Sequence, residues 1–236
     1  MDTSFAEYVG VQTLRAATSP LTSAAAEPSF LMSAQVMEIL FDLAFIEARA
    51  ARDAFDNDDT HTGLRALTRV RQTQSVLLTC WQLLRGMTPG DYAEFRDAFG
   101  SASGFQSAAY RRFEFMLGKK DAHLLDRHRD QPEVYAELVG VHRDHSLPDA
   151  VTGLLRRRMA WSWRQVYRNP AHHPDLFDIG QALADIADNF TRWRSEHLVV
   201  VERVLGTQPG TAGTSGLSWL RKAAEHRFFP ELHALG

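Results

Sequence analysis

The stretch that most constrains the fold of this chain is residues 175–206, which carry a single long helical pattern. Apolar side chains recur there every three or four residues, and that spacing places them on one face of a helix. Polar and charged residues fill the positions between them, and Gly206 supplies a stop. The apolar stripe consists of Leu176, Ile179, Leu183, Ile186, Phe190, Trp193, His197, Val200 or Val201, and Val204.

One member of this stripe is a histidine. His197 stands where a leucine would be expected, so its side chain points toward the interior. From this helix alone, a buried histidine with a hydrogen-bond partner is the favoured interpretation. The alternative is a metal or haem ligand, because neutral imidazole in an apolar pocket is a common axial ligand for haem iron. The helix by itself does not choose between the two.

The rest of the chain also reads as helical, and no run of alternating or β-branched residues indicates a sheet. We therefore expect an all-α fold built as a bundle of long packed helices. Residues 1–29 read as an N-terminal arm and linker, and residues 30–236 as a single domain. The helices expected besides the central one cover residues 30–55, 60–84, 91–99, 105–117, 132–141, 148–167 and 217–228.

Bulk properties exclude several classes of function. The net charge of −3 argues against a dedicated nucleic-acid binder, which needs a basic surplus. The single cysteine, Cys80, excludes an intrachain disulfide and a cysteine-based zinc or iron–sulfur site. No signal peptide is evident, and no stretch approaches the ~20 apolar residues of a membrane span. The expected location is the cytoplasm, with no membrane partner.

Searches for a zinc helix, a phosphate loop and a dinucleotide-binding loop find no match. Arg111 and Arg112 lie in a helix among aromatic residues, so one of them should face inward and needs an anion. That anion is either a ligand carboxylate or a structural partner such as Glu114. The glycine-dense segment 210–216 is a flexible connector or a loop that contacts a ligand.

Two long segments carry a specific resemblance. Residues 102–120, ASGFQSAAYRRFEFMLGKK, closely resemble the signature of the tryptophan 2,3-dioxygenase family. So does the end of the chain, from WRSEH at 193–197 through GTAGTSG at 210–216 to FFPEL at 228–232. Fainter matches are FAEYV at 5–9 and residues 30–41. The matches follow the family order and span nearly the whole chain.

This resemblance implies an all-α enzyme whose helices enclose a haem b pocket, usually a tetramer built as a dimer of dimers. By the resemblance His197 is the proximal ligand of the haem iron, and Arg111 pairs with the substrate carboxylate. Thr211 meets the amino-acid end of the substrate, and Phe30 lines the indole pocket. Tyr8 reaches into the site of a neighbouring subunit.

One departure from the family pattern affects the chemistry. Family members carry a distal histidine in the pattern His-Gln-x-x-Glu-Leu-Trp, whereas this chain reads AQVMEIL at 34–40. Ala34 therefore replaces the imidazole that contacts the indole N–H, and Ser33 is a candidate to supply a hydroxyl instead, directly or through water. The change enlarges the space above the iron and removes a hydrogen-bonding group there. Ala212 and a short N-terminal region are further departures.

We therefore expect a haem-dependent oxygenase that uses O₂ to oxidise the indole C2–C3 bond of L-tryptophan or a substituted L-tryptophan. The default outcome is dioxygenation to N-formylkynurenine. A monooxygenase that forms a 2-oxindole or a hydroxylated tryptophan is the alternative within the same fold. From other classes, a non-catalytic haem- or indole-binding protein and a helical interaction protein without a cofactor stay open.

Overall fold

The computed structural model describes residues 3–100, 102–205 and 216–234. These residues form α-helices and short 3-10 turns and contain no strand, which confirms the expected all-α class. The α-helices are α1 (Phe5–Val9), α2 (Val11–Ala17), α3 (Glu27–Asp56), α4 (Thr60–Leu84), α5 (Pro89–Arg96), α6 (Ala108–Met116), α7 (Pro132–Arg143), α8 (Leu147–Arg157), α9 (Trp163–Arg168), α10 (Pro174–Leu205), α11 (Gly216–Glu225) and α12 (Pro230–His233).

Helices α3 and α4 form an antiparallel hairpin that packs along its whole length. Asp59 starts α4, because its side chain accepts a hydrogen bond from the Thr62 amide at 2.9 Å. Near the turn the two helices approach so closely that a Cβ atom on Gly63 would lie 2.1 Å from Cε1 of Phe55. A glycine at position 63 is therefore required by the packing of the hairpin.

The central helix α10 lies against α4 and fills the middle of the molecule. Its stripe is buried as the sequence predicts, with Leu176, Ile179, Leu183 and Ile186 fully inaccessible. The same stripe continues through Phe190 to Val200 and Val204. The helical face that the sequence assigns to the interior is thus the face that builds the core.

One predicted helix is wrong. Residues 148–167 do not form a single element, because α8 ends at Arg157 and α9 begins at Trp163. Met159 has a φ of 56°, a left-handed conformation that ends a helix, and Ser162 then caps α9 by accepting from the Gln165 amide at 3.3 Å. The expected terminal helix 217–228 is also shorter, because α11 ends at Glu225.

The N-terminal arm buries no residue of its own in α1 or α2. The arm is held against α3 by Gln35, whose amide nitrogen donates to the Ala17 carbonyl at 2.8 Å. The first turn of α3 is fixed in turn by the Glu27 carboxylate, which accepts from the backbone amides of Leu21 and Thr22. The division of the chain at residue 29 stays a prediction.

Within the described residues, α3 is long and apolar enough to cross a membrane by length and composition alone. The sequence-based expectation of no such stretch overlooked this helix. The inner side of α3 packs in the protein core, but only 28% of its most apolar window is buried. Part of the remainder consists of large apolar side chains that are exposed on its outer side.

Candidate functional site

A cavity of about 600 Å³ lies inside the bundle, within the usual range for ligand sites. Helices α3, α6, α10 and α11 contribute to its wall, together with the end of α4 and the segment 102–107. Most of the lining side chains are apolar or aromatic. The lining residues include Glu27, Phe30, Leu31, Ala34, Met37, Glu38, Trp81, Tyr92, Ser103, Phe105, Tyr110, Arg111, Trp193, Arg194, His197 and Trp219.

His197 faces this cavity from α10. Its ring is half-buried and stacks on the indole of Trp81, with ring centroids 4.7 Å apart and planes 13° apart. The ring of Trp193 lies 5.5 Å away. Burial among these apolar groups lowers the pKa of His197 to about 4. The imidazole is therefore neutral at physiological pH, as a metal ligand must be.

The surroundings of His197 fit a haem group. Trp81 and Trp193 are buried cavity residues, and the indole N–H of each has no hydrogen-bond partner within the described structure. Buried donors are normally satisfied, so the two indole N–H groups need an acceptor that the described residues do not provide. A neutral histidine, flat aromatic neighbours and apolar walls together suit a macrocycle that carries polar edge groups.

Arg111 reaches the cavity from α6, and only 1% of its surface is exposed. Its guanidinium forms an ion pair with Glu114, while its Nε atom has no partner among the described residues. The sequence left a structural partner and a ligand carboxylate as alternatives. The structure contains the structural partner, and it also places Arg111 in the wall of the cavity.

Glu114 is the centre of a buried polar cluster. Its carboxylate also accepts hydrogen bonds from Arg194 and from the Tyr110 hydroxyl, the latter at 3.1 Å. Arg194 donates further to the Tyr110 hydroxyl at 3.0 Å and to the carbonyl of Ala223 on α11 at 3.0 Å. The cluster thus ties α6, α10 and α11 together beside the cavity.

This cluster has more cations than anions. Two guanidiniums, Arg111 and Arg194, share the single carboxylate of Glu114, and the ammonium of Lys119 lies 3.8 Å from that carboxylate. Burial lowers the pKa of Lys119, although Glu114 opposes that shift. An additional carboxylate at the cavity wall would reduce this excess of positive charge, which favours an anionic ligand there.

The α3 side of the cavity is formed by residues of one helical face. Phe30 packs in an aromatic cluster, and its ring stacks on Phe99 with centroids 5.7 Å apart. Ala34 lies one turn further and presents only a methyl group to the cavity. Ser33 is buried outside the cavity wall, and its hydroxyl donates to the Ser29 carbonyl at 2.6 Å. That hydroxyl is engaged within its own helix and does not replace the missing imidazole.

The remaining expected site residues are Tyr8 and Thr211. Tyr8 on α1 is 84% exposed and lies on the arm. Thr211 lies outside the described residues, as does most of the segment 210–216. Phe30, Ala34, Arg111 and His197 are the expected residues that line the same cavity.

Several residues that line the cavity were not predicted as site residues from the sequence. The contact of Trp81 with His197 joins two helices and leaves no local signal in the sequence. Glu38 follows Ala34 by one helical turn, and burial raises its pKa while a hydrogen bond from Ser107 opposes the shift. Burial raises the pKa of Tyr92 as well, and the nearby charge of Arg96 acts against it. Arg96 is thus a further cation close to the cavity.

A neutral histidine in an apolar cavity of an all-α bundle, beside an excess of buried positive charge, defines a helical haem protein with room for an acidic ligand. Comparison with known proteins is more specific. The family model for tryptophan 2,3-dioxygenase matches residues 1–165 and 157–236. The chain is 37% identical to the tryptophan 2,3-dioxygenase of Bradyrhizobium sp. (strain ORS 278), covering 98% of this chain and 91% of that protein.

Two further relatives give the same result. The chain is 35% identical to the tryptophan 2,3-dioxygenase of Cupriavidus necator, with 99% and 87% of the two chains covered. It is 33% identical to that of Shewanella woodyi, with 99% and 90% covered. The chain therefore belongs to the tryptophan 2,3-dioxygenase family. Membership confirms, at the level of the family, the expected haem-dependent oxidoreductase class and the haem b cofactor.

Proposed function

We propose that this protein oxidises the indole C2–C3 bond of L-tryptophan or a substituted L-tryptophan with O₂, giving the N-formylkynurenine product of dioxygenation. The observation that carries the proposal is one cavity that holds both a neutral His197 and the cationic cluster of Arg111. The first suits a haem iron and the second suits the carboxylate of an amino acid. Family membership supports the same reaction.

In this proposal His197 would bind the haem iron, and the stacked indole of Trp81 would hold the plane of its imidazole ring. The bound haem supplies the activation of O₂ and the redox chemistry. The protein binds the substrate, orients the indole and keeps water out of an apolar cavity. Phe30 contributes one aromatic wall for the indole, since it already packs against Tyr92 with centroids 5.8 Å apart.

For the amino-acid end of the substrate, we propose Arg111 as the group that binds the carboxylate, with Thr211 at the same end. The excess positive charge around Glu114 supports this role. Arg96 is a second candidate, because its charge lies close to Tyr92, which lines the cavity.

Tryptamine separates these candidates, because it retains the indole and the amine of tryptophan and lacks the carboxylate. The measurement is the ratio of the Kd of tryptamine to that of L-tryptophan in haem-loaded protein. We expect wild type to prefer L-tryptophan and the Arg111→Ala variant to lose that preference. If Arg111→Ala retains the wild-type ratio and Arg96→Ala loses it, the role belongs to Arg96.

The methyl side chain of Ala34 supports a second candidate reaction. A cavity wall that offers no imidazole at this position gives the indole N–H no partner there, and burying an unsatisfied donor costs about 1–3 kcal/mol. The position of the indole and the hydrogen bonding above the iron therefore differ from those of a site with a distal histidine. Insertion of one oxygen, giving a 2-oxindole or hydroxylated tryptophan, is the corresponding alternative, and it requires two electrons from an added reductant to convert the other oxygen atom to water.

Product mass after reaction with ¹⁸O₂ distinguishes these reactions. Haem-loaded protein is reduced without oxygen, and L-tryptophan and ¹⁸O₂ are then added. We expect two labelled oxygen atoms in the product. One labelled atom would support the monooxygenase, with Ala34→His as the first variant to restore dioxygenation. Haem binding without oxygen consumption or product would support a non-catalytic haem- or indole-binding protein.

We further propose a homo-oligomer, a tetramer or a dimer, in which Tyr8 reaches a neighbouring subunit. The exposure of the apolar side chains on α1 supports this arrangement. A cytoplasmic location is proposed with it, on the sequence grounds given above.

A further inference from the structure

A second histidine lies inside the protein, close behind the wall of the cavity. His128 is the last residue of the 3-10 helix Ala122–His128, and its side chain is fully buried. This short helix packs against α7 and against the 3-10 turn Gly104–Gln106, whose residues line the cavity. The reaction proposed above gives His128 no part, although the residue is adjacent to the site.

The buried imidazole of His128 is not satisfied by its surroundings. Neither of its ring nitrogens has a hydrogen-bond partner among the described residues. Buried polar atoms are normally paired, and each unpaired one lowers the stability of the fold. An apolar side chain would avoid this cost, as Leu125 does on the same 3-10 helix. A polar group in a place that suits an apolar one indicates a functional role.

Arg111 has an unpaired group that complements this imidazole. Its Nη1 atom is held by the carboxylate of Glu114. Its Nε–H group is buried and also lacks a partner within the described part of the chain. A guanidinium nitrogen can only donate a hydrogen bond, whereas a neutral imidazole has one nitrogen that accepts. The unpaired donor of Arg111 and the unpaired acceptor of His128 are therefore chemically matched.

The two side chains are close enough for their charges to interact. Burial lowers the pKa of His128, and the positive charge of Arg111 lowers that pKa further. The carboxylate of Asp130 opposes the shift, and the neighbouring guanidinium of Arg127 adds to it. The imidazole is therefore neutral at physiological pH, which is the form that can accept a hydrogen bond.

The other arginine of α6 is a weaker candidate for this contact. Arg112 also has a buried, unpaired Nε atom in the described structure. Its guanidinium, however, is already held between the carboxylates of Asp42 and Glu137. The charge from α6 that acts on His128 is that of Arg111, so Arg111 is the favoured partner.

We propose that His128 is a positioning residue for Arg111, whose Nε–H group it accepts when a ligand carboxylate engages the guanidinium. With Nη1 held by Glu114 and Nε held by His128, the plane of the guanidinium is fixed and Nη2 is left for the ligand. Hydrogen bonds in a ligand-free site are often loose and tighten when the ligand binds. The inference rests on the proposed role of Arg111 in binding the substrate carboxylate.

The ratio of the Kd of tryptamine to that of L-tryptophan tests this role in haem-loaded protein. We expect His128→Leu to lower the ratio by about tenfold, the value of a hydrogen bond to a charged group. The loss should come from weaker binding of L-tryptophan, with the Kd of tryptamine unchanged. Glutamine and asparagine place an acceptor oxygen near the two ring nitrogens, so either His128→Gln or His128→Asn should restore part of the ratio.

His142→Leu is the matched control. His142 is a half-buried histidine on α7 that packs against Phe115 with ring centroids 5.2 Å apart. Its ring has a partner of its own, the Lys120 carbonyl at 2.9 Å. Its replacement should leave the Kd ratio at the wild-type value. A His128→Leu variant with the wild-type ratio, or a loss that neither amide variant restores, would overturn the proposal.

Stability distinguishes a positioning role from a role in packing. His128→Leu removes two unpaired buried nitrogens, so the free energy of unfolding of the haem-loaded protein without substrate should equal or exceed that of wild type. His142→Leu removes a hydrogen bond and should be less stable than wild type. If His128→Leu is the less stable of these two variants, the imidazole is a structural group and the proposal is wrong.

Arg111→Ala in the same binding assay separates this inference from the proposed function. If Arg111→Ala loses the preference for L-tryptophan and His128→Leu keeps it, the role of Arg111 stands and the role of His128 is overturned. If Arg111→Ala keeps the wild-type ratio, the proposed role of Arg111 fails, and the inference about His128 fails with it.

Discussion

Replacing Glu114 by glutamine removes the single negative charge from the buried cluster and leaves its shape almost unchanged. Two guanidiniums, those of Arg111 and Arg194, then lie buried without a counter-charge. Breaking a buried ion pair by removing one partner costs about 3–5 kcal/mol. For a domain whose total stability is roughly 5–15 kcal/mol, that is a large fraction, and it corresponds to a fall in Tm of roughly 6–20 °C.

The assay is urea and thermal unfolding of the purified protein, with Glu137→Gln as the matched control. Glu137 also pairs with an arginine of α6, Arg112, but its side chain is 49% exposed, so its loss should cost at most about 1 kcal/mol. L-Tryptophan should raise the Tm of Glu114→Gln more than that of wild type, because its carboxylate restores a negative charge. A loss below about 1 kcal/mol in Glu114→Gln would refute the assigned role of the cluster.

Two further predictions concern packing and pH. Gly63→Ala should destabilise the protein by at least about 1–3 kcal/mol, because its new methyl group meets the Phe55 ring. The control is Gly140→Ala, where an added Cβ meets nothing within 4 Å, and it should be neutral or stabilise the protein by up to about 1 kcal/mol. Equal changes in the free energy of unfolding for the two glycine variants would contradict this prediction. Because burial holds the pKa of His197 near 4, the unfolded state binds more protons between about pH 6.5 and 4. The haem-free protein should therefore lose stability as the pH falls through that window. The upper limit of this loss is about 3 kcal/mol. The expected loss is roughly 1–2 kcal/mol, because solvent in the cavity screens the charge. The His197→Phe variant should lack this part of the slope, and identical slopes in both proteins would rule out the assigned environment.

Much of the fold could be predicted from periodicity. The stripe of α10 is long and regular, so its direction toward the core and the inward position of His197 follow from spacing alone. The break between α8 and α9 could not be predicted in this way. It depends on the left-handed conformation of Met159, a residue type that carries no turn signal.

Helix α3 shows a second limit of periodicity. Its outer side carries exposed apolar residues at the same helical spacing as the buried ones, namely Met32, Val36, Ile39, Leu43 and Ile46. When one helix carries two apolar stripes, the sequence pattern does not show which of them is buried. Only the packing of α4 and α6 against one side distinguishes the buried stripe from the exposed one.

Within the site, single residues could be predicted and their partners could not. The sequence indicated an inward arginine and offered Glu114 as its partner, and the structure contains that pair. It gave no sign that Arg194 shares the same carboxylate or that Trp81 stacks on His197. Such contacts join helices far apart along the chain, so no local pattern encodes them. The position of Ser33 made its hydroxyl a candidate for the site, but that hydroxyl donates a hydrogen bond to the Ser29 carbonyl within its own helix.

The most direct test of this account is the haem absorbance band of His197→Ala, measured beside His145→Ala. His145 is an exposed histidine that pairs with Asp56 at 3.1 Å, and its replacement should leave the band unchanged. We expect His197→Ala to lose the band and to regain it when free imidazole is added, because the small ligand can occupy the space of the missing ring. A His197→Ala protein that binds haem with the wild-type spectrum would contradict the assignment of His197 and of the cavity it faces.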